Sequence, residues 1–334
     1  MVPGLPPEVP VRPCLKADQR SYVEPVLVIE ATELTKRYPR VTALDQLTLG
    51  VGAGVTGLVG ANGAGKSTLI KILLGLLPAT SGRATVFGHD VATEGARIRA
   101  LVGYMPEHEC LPADVSANDF VVHMGQMSGL PHAAARERAA DVLRHVGLAE
   151  ERYRPMGGYS TGMKQRAKLA QALVHDPRLV LLDEPTNGLD PRSRDDMLGL
   201  VRKIGSEFGI AVLVTSHLLG ELERVSDHVV VLDAGRLLRS SATTDYLHTT
   251  GTLLVEVLGG ARETERMARA LAGAGVVART SGSVVEVEAP DGSTYDTVRD
   301  LTVELGLGLV RMQERHHHIE DVFREEEAGS VQPV

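Results

Sequence analysis

The chain has 334 residues, 35 of them basic and 43 acidic, with a formal charge of −8 and two cysteines. That length exceeds one typical domain. The acidic balance argues against a nucleic-acid phosphate backbone as the main partner, and Cys14 and Cys110 supply neither a disulfide framework nor a metal-ligand set. Residues 1–24 carry Pro3, Pro6, Pro7, Pro10 and Pro13 and no apolar core of the kind a secretory leader needs, so a disordered arm is expected there. No stretch approaches the ~20 apolar residues of a bilayer span. The longest candidate, LIKILLGLL at 69–77, is too short and contains Lys71.

Beyond the arm, apolar runs alternate with segments of helical period, the pattern of an α/β sheet with crossover helices. The run VTGLV at 55–59 reads as a strand, and GANGAGKST at 60–68 follows it at once. Leu69, Ile72, Leu73 and Leu76 then recur at helical spacing. Strand, glycine-rich loop and helix in this order form a phosphate cradle: Gly60, Gly63 and Gly65 let backbone N–H groups turn inward, and the helix N-terminus adds partial positive charge. Lys66 should reach the β- and γ-phosphates, and the Ser67 hydroxyl should ligate Mg²⁺. Asn62, Ala64 and Thr68 complete the nucleotide-binding loop.

Further on, LVLLDEPTNGLD at 179–190 places Asp183 at the end of an apolar strand, where a carboxylate can hold Mg²⁺. Glu184 follows, positioned to orient or polarise an attacking water. Met197, Leu200, Val201, Ile204 and Phe208 should line one helix face on the sheet before the strand AVLVTS at 211–216, and HVVVL at 228–232 reads as another strand. After about residue 250 the texture changes. TLLVEVL, ARETERMARALAG, VVARTSGSVVEVE, YDTVRDLTVELG and LGLVRMQ give a β-α-β-β-α-β order, a second, ferredoxin-like domain.

The segment YSTGMKQR at 159–166, with YMPE at 104–107, GLD at 188–190 and TSH at 215–217, stands around the two nucleotide motifs in the order and spacing of the ATP-binding cassette (ABC) ATPases. The resemblance runs from about Val26 to Leu238. It implies a P-loop cassette with a mixed sheet core, an antiparallel β subdomain and a helical subdomain at about 107–165, within a domain spanning 25–240. It also implies that YSTGMKQR is the family's signature segment, whose Ser160, Thr161 and Gly162 bind the γ-phosphate of ATP held by the opposite subunit of a head-to-tail homodimer. Tyr38 corresponds to the aromatic that stacks on adenine, with a core tyrosine at a strand end as the other reading. His217 corresponds to the histidine that contacts the γ-phosphate and steadies Glu184, and Asp190 to the acid that links the two sites.

The sequence departs from the family pattern at Thr161 and Met163, and above all at Glu107, where the family usually has Gln beside Mg²⁺ and the lytic water. A carboxylate remains a hard oxygen ligand. Of the histidines in HHHIEDVF at 316–323, adjacent residues point in different directions, which disfavours a metal site. The IEDVF ending resembles that of exporter ATPase subunits carrying a small C-terminal domain, so 250–325 is expected to be an accessory domain, regulatory or dimer-stabilising, with 326–334 as a tail. The expected function is ATP hydrolysis coupled to a separate membrane permease. The protein would then be cytoplasmic and peripheral on the membrane, and no nucleic-acid partner is expected. The alternatives are a soluble ABC ATPase acting on ribosomes or DNA, and a regulatory module without turnover. For the permease contact, the segment at 115–130 offers Val115, Phe120, Val121, Met124 and Met127, with the two methionines as the groove candidates.

Overall fold

A computed structural model describes residues 27–243, 249–288 and 293–316. The proline-rich arm, His317 and His318, the IEDVF ending and the C-terminal tail lie outside the described residues. The chain opens with a long hairpin, β1 (Ile29–Tyr38) and β2 (Val41–Val51), and continues through β3 (Val55–Val59) to α1 (Lys66–Leu73). Next come β4 (Ser81–Val86), β5 (His89–Asp90), α2 (Gly95–Leu101) and β6 (Val102–Met105). Helices α3 (Ala117–Met127), α4 (His132–His145) and α5 (Thr161–Leu173) follow, before β7 (Leu179–Leu182), α6 (Pro191–Ser206) and β8 (Ala211–Ser216). Then α7 (Leu219–Glu223), β9 (His228–Asp233) and β10 (Arg236–Ala242) close the first part.

Two sheets share this part of the chain. The larger has the order β10-β9-β3-β8-β7-β6, and the smaller, antiparallel one has the order β2-β1-β4-β5. In the larger sheet β9, β3, β8, β7 and β6 are parallel, and only β10 runs against its neighbour. Strands buried on both faces read as continuous apolar runs, and here alternate side chains serve two different cores. Leu58, Leu179, Leu181 and Leu213 pack with α1 and the antiparallel sheet. Val59, Val180, Leu182 and Val212 pack with α3 to α6.

Helix ends depart from the periodic pattern in two places. The repeat after the glycine-rich loop includes Leu76, but α1 stops at Leu73 and Leu76 is 60% exposed. Gly75, at φ 67°, donates to the Ile72 carbonyl while Leu76 N–H donates to the Lys71 carbonyl, the Schellman arrangement that ends a helix. Likewise Phe208 lies beyond the end of α6, next to Gly209 at φ 64°, and is 43% exposed with its ring in a T-shaped contact with His145. Met197, Val201 and Ile204 are buried as expected, and Leu200 packs beside them.

A third sheet begins at Thr249. Its elements are β11 (Thr249–Val257), α8 (Ala261–Gly273), β12 (Ala278–Ser281), β13 (Val284–Glu288), α9 (Ser293–Glu304) and β14 (Leu309–His316). The strand order is β12-β13-β11-β14 with every pairing antiparallel, the split β-α-β arrangement of ferredoxin-like folds. Leu253, Val255, Val285 and Val287 meet Met267, Leu271 and Val298 of its helices in a core of their own.

Candidate phosphate-binding site

The cradle forms where β3 meets α1. Gly65 sits at φ 106°, and a Cβ there would come within 2.4 Å of the Ala43 carbonyl oxygen, so no other residue fits the turn. Gly63 also has positive φ, 89°, but open space beside it. A cavity of about 350 Å³ is lined by Ala61, Asn62, Gly63, Ala64, Gly65, Lys66, Ser67 and Thr68 together with Glu107 and Glu184. Backbone N–H groups and the N-terminus of α1 make it suited to an anion.

Lys66 and Glu184 are both buried and lie 3.3 Å apart as an ion pair. Lys66 Nζ also donates to the Gly60 carbonyl at 2.6 Å. Glu184 has φ 50°, in a region that costs a non-glycine residue about 1 kcal/mol or more. That turn sets its carboxylate between Lys66 and His217, whose Nδ1 is 3.0 Å from Oε2. The other oxygen, Oε1, is buried and accepts no hydrogen bond of good geometry despite the nearby ammonium.

Behind the cradle, Ser67 Oγ donates to Asp183 Oδ1 at 3.3 Å and Thr215 Oγ1 donates to the same oxygen at 2.9 Å. Burial pushes the Asp183 carboxyl above its usual range, while the Thr215 and Ser67 hydrogen bonds pull it back. Glu107 and Glu184, both negative, add to the upward push. Thr215 also accepts from Glu184 N–H at 2.9 Å, so one buried hydroxyl ties the two adjacent acids to the next strand. The sequence reading took the histidine from TSH and missed this threonine. Its signal was the parallel pairing of two apolar strands, which puts the residues just past Leu182 and Val214 side by side. Asn187 was also missed. Its Nδ2 donates to Glu107 Oε1 at 3.3 Å.

The family model described as ABC transporter matches residues 44–187. The daunorubicin/doxorubicin resistance ATP-binding protein DrrA of Streptomyces peucetius is 39% identical over 221 residues, covering 66% of this chain and 67% of its own length. The daunorubicin resistance ATP-binding protein DrrA2 of Streptomyces coeruleorubidus is 32% identical over 296 residues, which are 88% of this chain and 90% of that protein. The chain belongs to the ABC transporter family. Among solved structures, cbiO1 from Clostridium perfringens, part of the ABC transporter complex cbiONQ, matches with a TM-score of 0.60 at 26% identity. That match covers 66% of this chain and 90% of the other.

The remaining family positions lie apart from the cavity wall. Ser160 is exposed and caps α5, its hydroxyl accepting from Met163 N–H at 3.3 Å. Thr161 and Gly162 begin that helix beside Gly188 and Ser193, so the signature segment abuts the GLD loop. Asp190 caps α6 by accepting from Ser193 N–H at 3.1 Å, with the Ser193 hydroxyl 2.6 Å from its other oxygen. Tyr38, at the tip of the first hairpin, is 40% exposed under the Lys36 ammonium, so it is not a core tyrosine. Among the described residues no group of three or more His, Cys, Asp or Glu is gathered for a metal ion. The hydroxyl of Ser67 with the carboxylates of Asp183 and Glu107 nevertheless offers hard oxygen donors of the kind Mg²⁺·ATP takes.

Proposed function

We propose that this protein is the ATP-hydrolysing subunit of an ABC exporter, working as a head-to-tail homodimer on a separate membrane permease. The reading is carried by one observation: the Glu184 carboxylate, strained and buried, bracketed by Lys66 and His217 at a glycine-rich cavity. In the proposed mechanism the loop N–H groups of 60–68 and Lys66 hold the β- and γ-phosphates. Ser67, Asp183 and Glu107 would hold Mg²⁺, which when bound would offset phosphate charge. Glu184 takes the proton of the attacking water as general base. His217 fixes that carboxylate from the other side. Tyr38 stacks on adenine.

Ser160, Thr161 and Gly162 present a capped helix N-terminus away from their own cavity, which supports their service to the nucleotide of a second subunit, with Asp190 at the seam. The antibiotic-resistance names of the relatives support export as the task. No helix of the described residues is long and apolar enough to cross a membrane; in this reading the permease supplies the pathway and the subunit works peripherally on its cytoplasmic side. A groove of about 450 Å³ lined by Leu76, Tyr104, Pro106, Phe120 and Met124 is the proposed seat of a permease helix. Val121 is core, and Met127 stands outside the groove, 71% exposed.

Membrane fractionation tests this. Co-expressed with its permease, the protein should sediment with membranes, and Met124→Asp should release it while leaving ATP binding in place. Recovery with ribosomes or DNA whatever membrane protein is supplied would overturn the exporter reading.

A further inference from the structure

We propose that Lys168 is a positioning residue for Glu107: from the helix capped by Ser160 it holds the loop carrying that carboxylate and offsets its charge beside the nucleotide cavity. The proposal rests on the reading of Glu107 as a group facing Mg²⁺·ATP. Lys168 lies on the second turn of α5 and is only 3% exposed. Its ammonium donates to the Glu107 backbone carbonyl at 2.9 Å and forms no ion pair among the described residues. A buried ammonium without a carboxylate partner is costly, and an apolar residue would pack at this position without that cost.

Charge around the cavity supplies the reason. Glu107 and Glu184 line it and Asp183 lies just behind Ser67, whereas Lys66 is the single cation of the lining. Lys168 adds a second positive charge, with Glu107, Glu109 and Asp183 all within its electrostatic reach. Its neighbour three residues earlier, Gln165, shares the same buried face and donates to the Asn187 carbonyl at 3.3 Å. Asn187 in turn donates to Glu107 Oε1. Glu107 is therefore held by its backbone through Lys168 and by its carboxylate through Asn187. Both holds are anchored on α5, so a shift of the signature helix carries Glu107 with it.

Binding of trinitrophenyl-ATP to the full-length protein, followed by fluorescence in Mg²⁺ and in EDTA, tests this without turnover. Lys168→Met keeps the stem and removes charge and donor. It should weaken binding in EDTA by roughly tenfold, and by less in Mg²⁺, where the ion supplies positive charge. Adding Glu107→Gln should restore most of the loss, because the charge to be offset is gone. A loss of equal size with and without Glu107→Gln, accompanied by the same drop in Tm, would mean that Lys168 acts through packing alone, which overturns the proposal. Should Lys168→Met fail to fold, Lys168→Gln is measured in its place against the same two outcomes. Glu107→Gln by itself should shift the ratio of EDTA to Mg²⁺ affinities. An unmoved ratio sinks the reading of Glu107 and the proposal with it, whereas a shifted ratio without rescue sinks the proposal alone.

Discussion

Glu184 carries most of the chemical argument, and its neighbours constrain what each substitution does. Glu184→Gln preserves shape and the contact with His217 but removes the basic oxygen. Phosphate release should fall by about 100-fold or more, with nucleotide binding retained in a filter or fluorescence assay, and near-normal turnover would remove Glu184 from the base role. Asp183 allows a test of opposite sign. Its folded pKa is raised, so the ionised form is disfavoured in the native state and stability is lost as pH rises through that pKa. Asp183→Asn should therefore raise Tm at pH 7 while abolishing turnover, and the Tm difference should vanish as pH falls below the ordinary aspartate range. Thr215→Val strands the buried Glu184 N–H and leaves Asp183 Oδ1 with the Ser67 hydroxyl alone, an expected cost of about 1–3 kcal/mol readable by denaturant unfolding.

Among the elements, the glycine-rich loop separates steric need from conformational need. Gly65→Ala meets both the positive φ and the Ala43 carbonyl, so it should lower Tm and abolish nucleotide binding. Gly63→Ala has room around its methyl and meets only the backbone penalty of about 1–2 kcal/mol. Thermal melts of the two variants should rank in that order, and equal damage would mean that the close approach to β2 is not what fixes the loop. Helix α5 is the other decisive element: its cap faces outward while Gln165 and Lys168 face the two segments that bound the cavity.

For the whole molecule, the separation of the signature segment from its own cavity predicts composite sites. Lys66→Ala and Gly162→Asp chains, each inactive alone, should regain some ATPase activity when mixed, because a mixed dimer holds one intact site. No recovery despite demonstrated mixed dimers would favour sites built within one chain. Thr243 still belongs with the first two sheets, buried with its N–H on the Asp227 carbonyl and its hydroxyl on the Ser226 carbonyl. A chain ending at residue 245 should still bind ATP, and weaker dimerisation by analytical ultracentrifugation would identify the third sheet as the dimer-stabilising part.

Contiguous features were legible in the amino-acid order. The glycine-rich loop was visible because its chemistry depends on neighbouring residues and backbone freedom, and the parallel strands because burial on both faces writes an apolar run. The β-α-β-β-α-β order of the last sheet was readable for the same reason, since each element buries one face. Helix ends were less so: apolar spacing persisted to Leu76 and Phe208, while the left-handed glycines at 75 and 209 were the signal that the helices had stopped. Only the tertiary structure decided which distant groups meet. Thr215 reaches Asp183 across 32 positions and Lys168 reaches Glu107 across 61, while the contact of His217 with Glu184 across 33 was expected through the family resemblance alone. Strand pairing and helix packing set those distances, and no local propensity encodes a contact between residues so far apart in the chain.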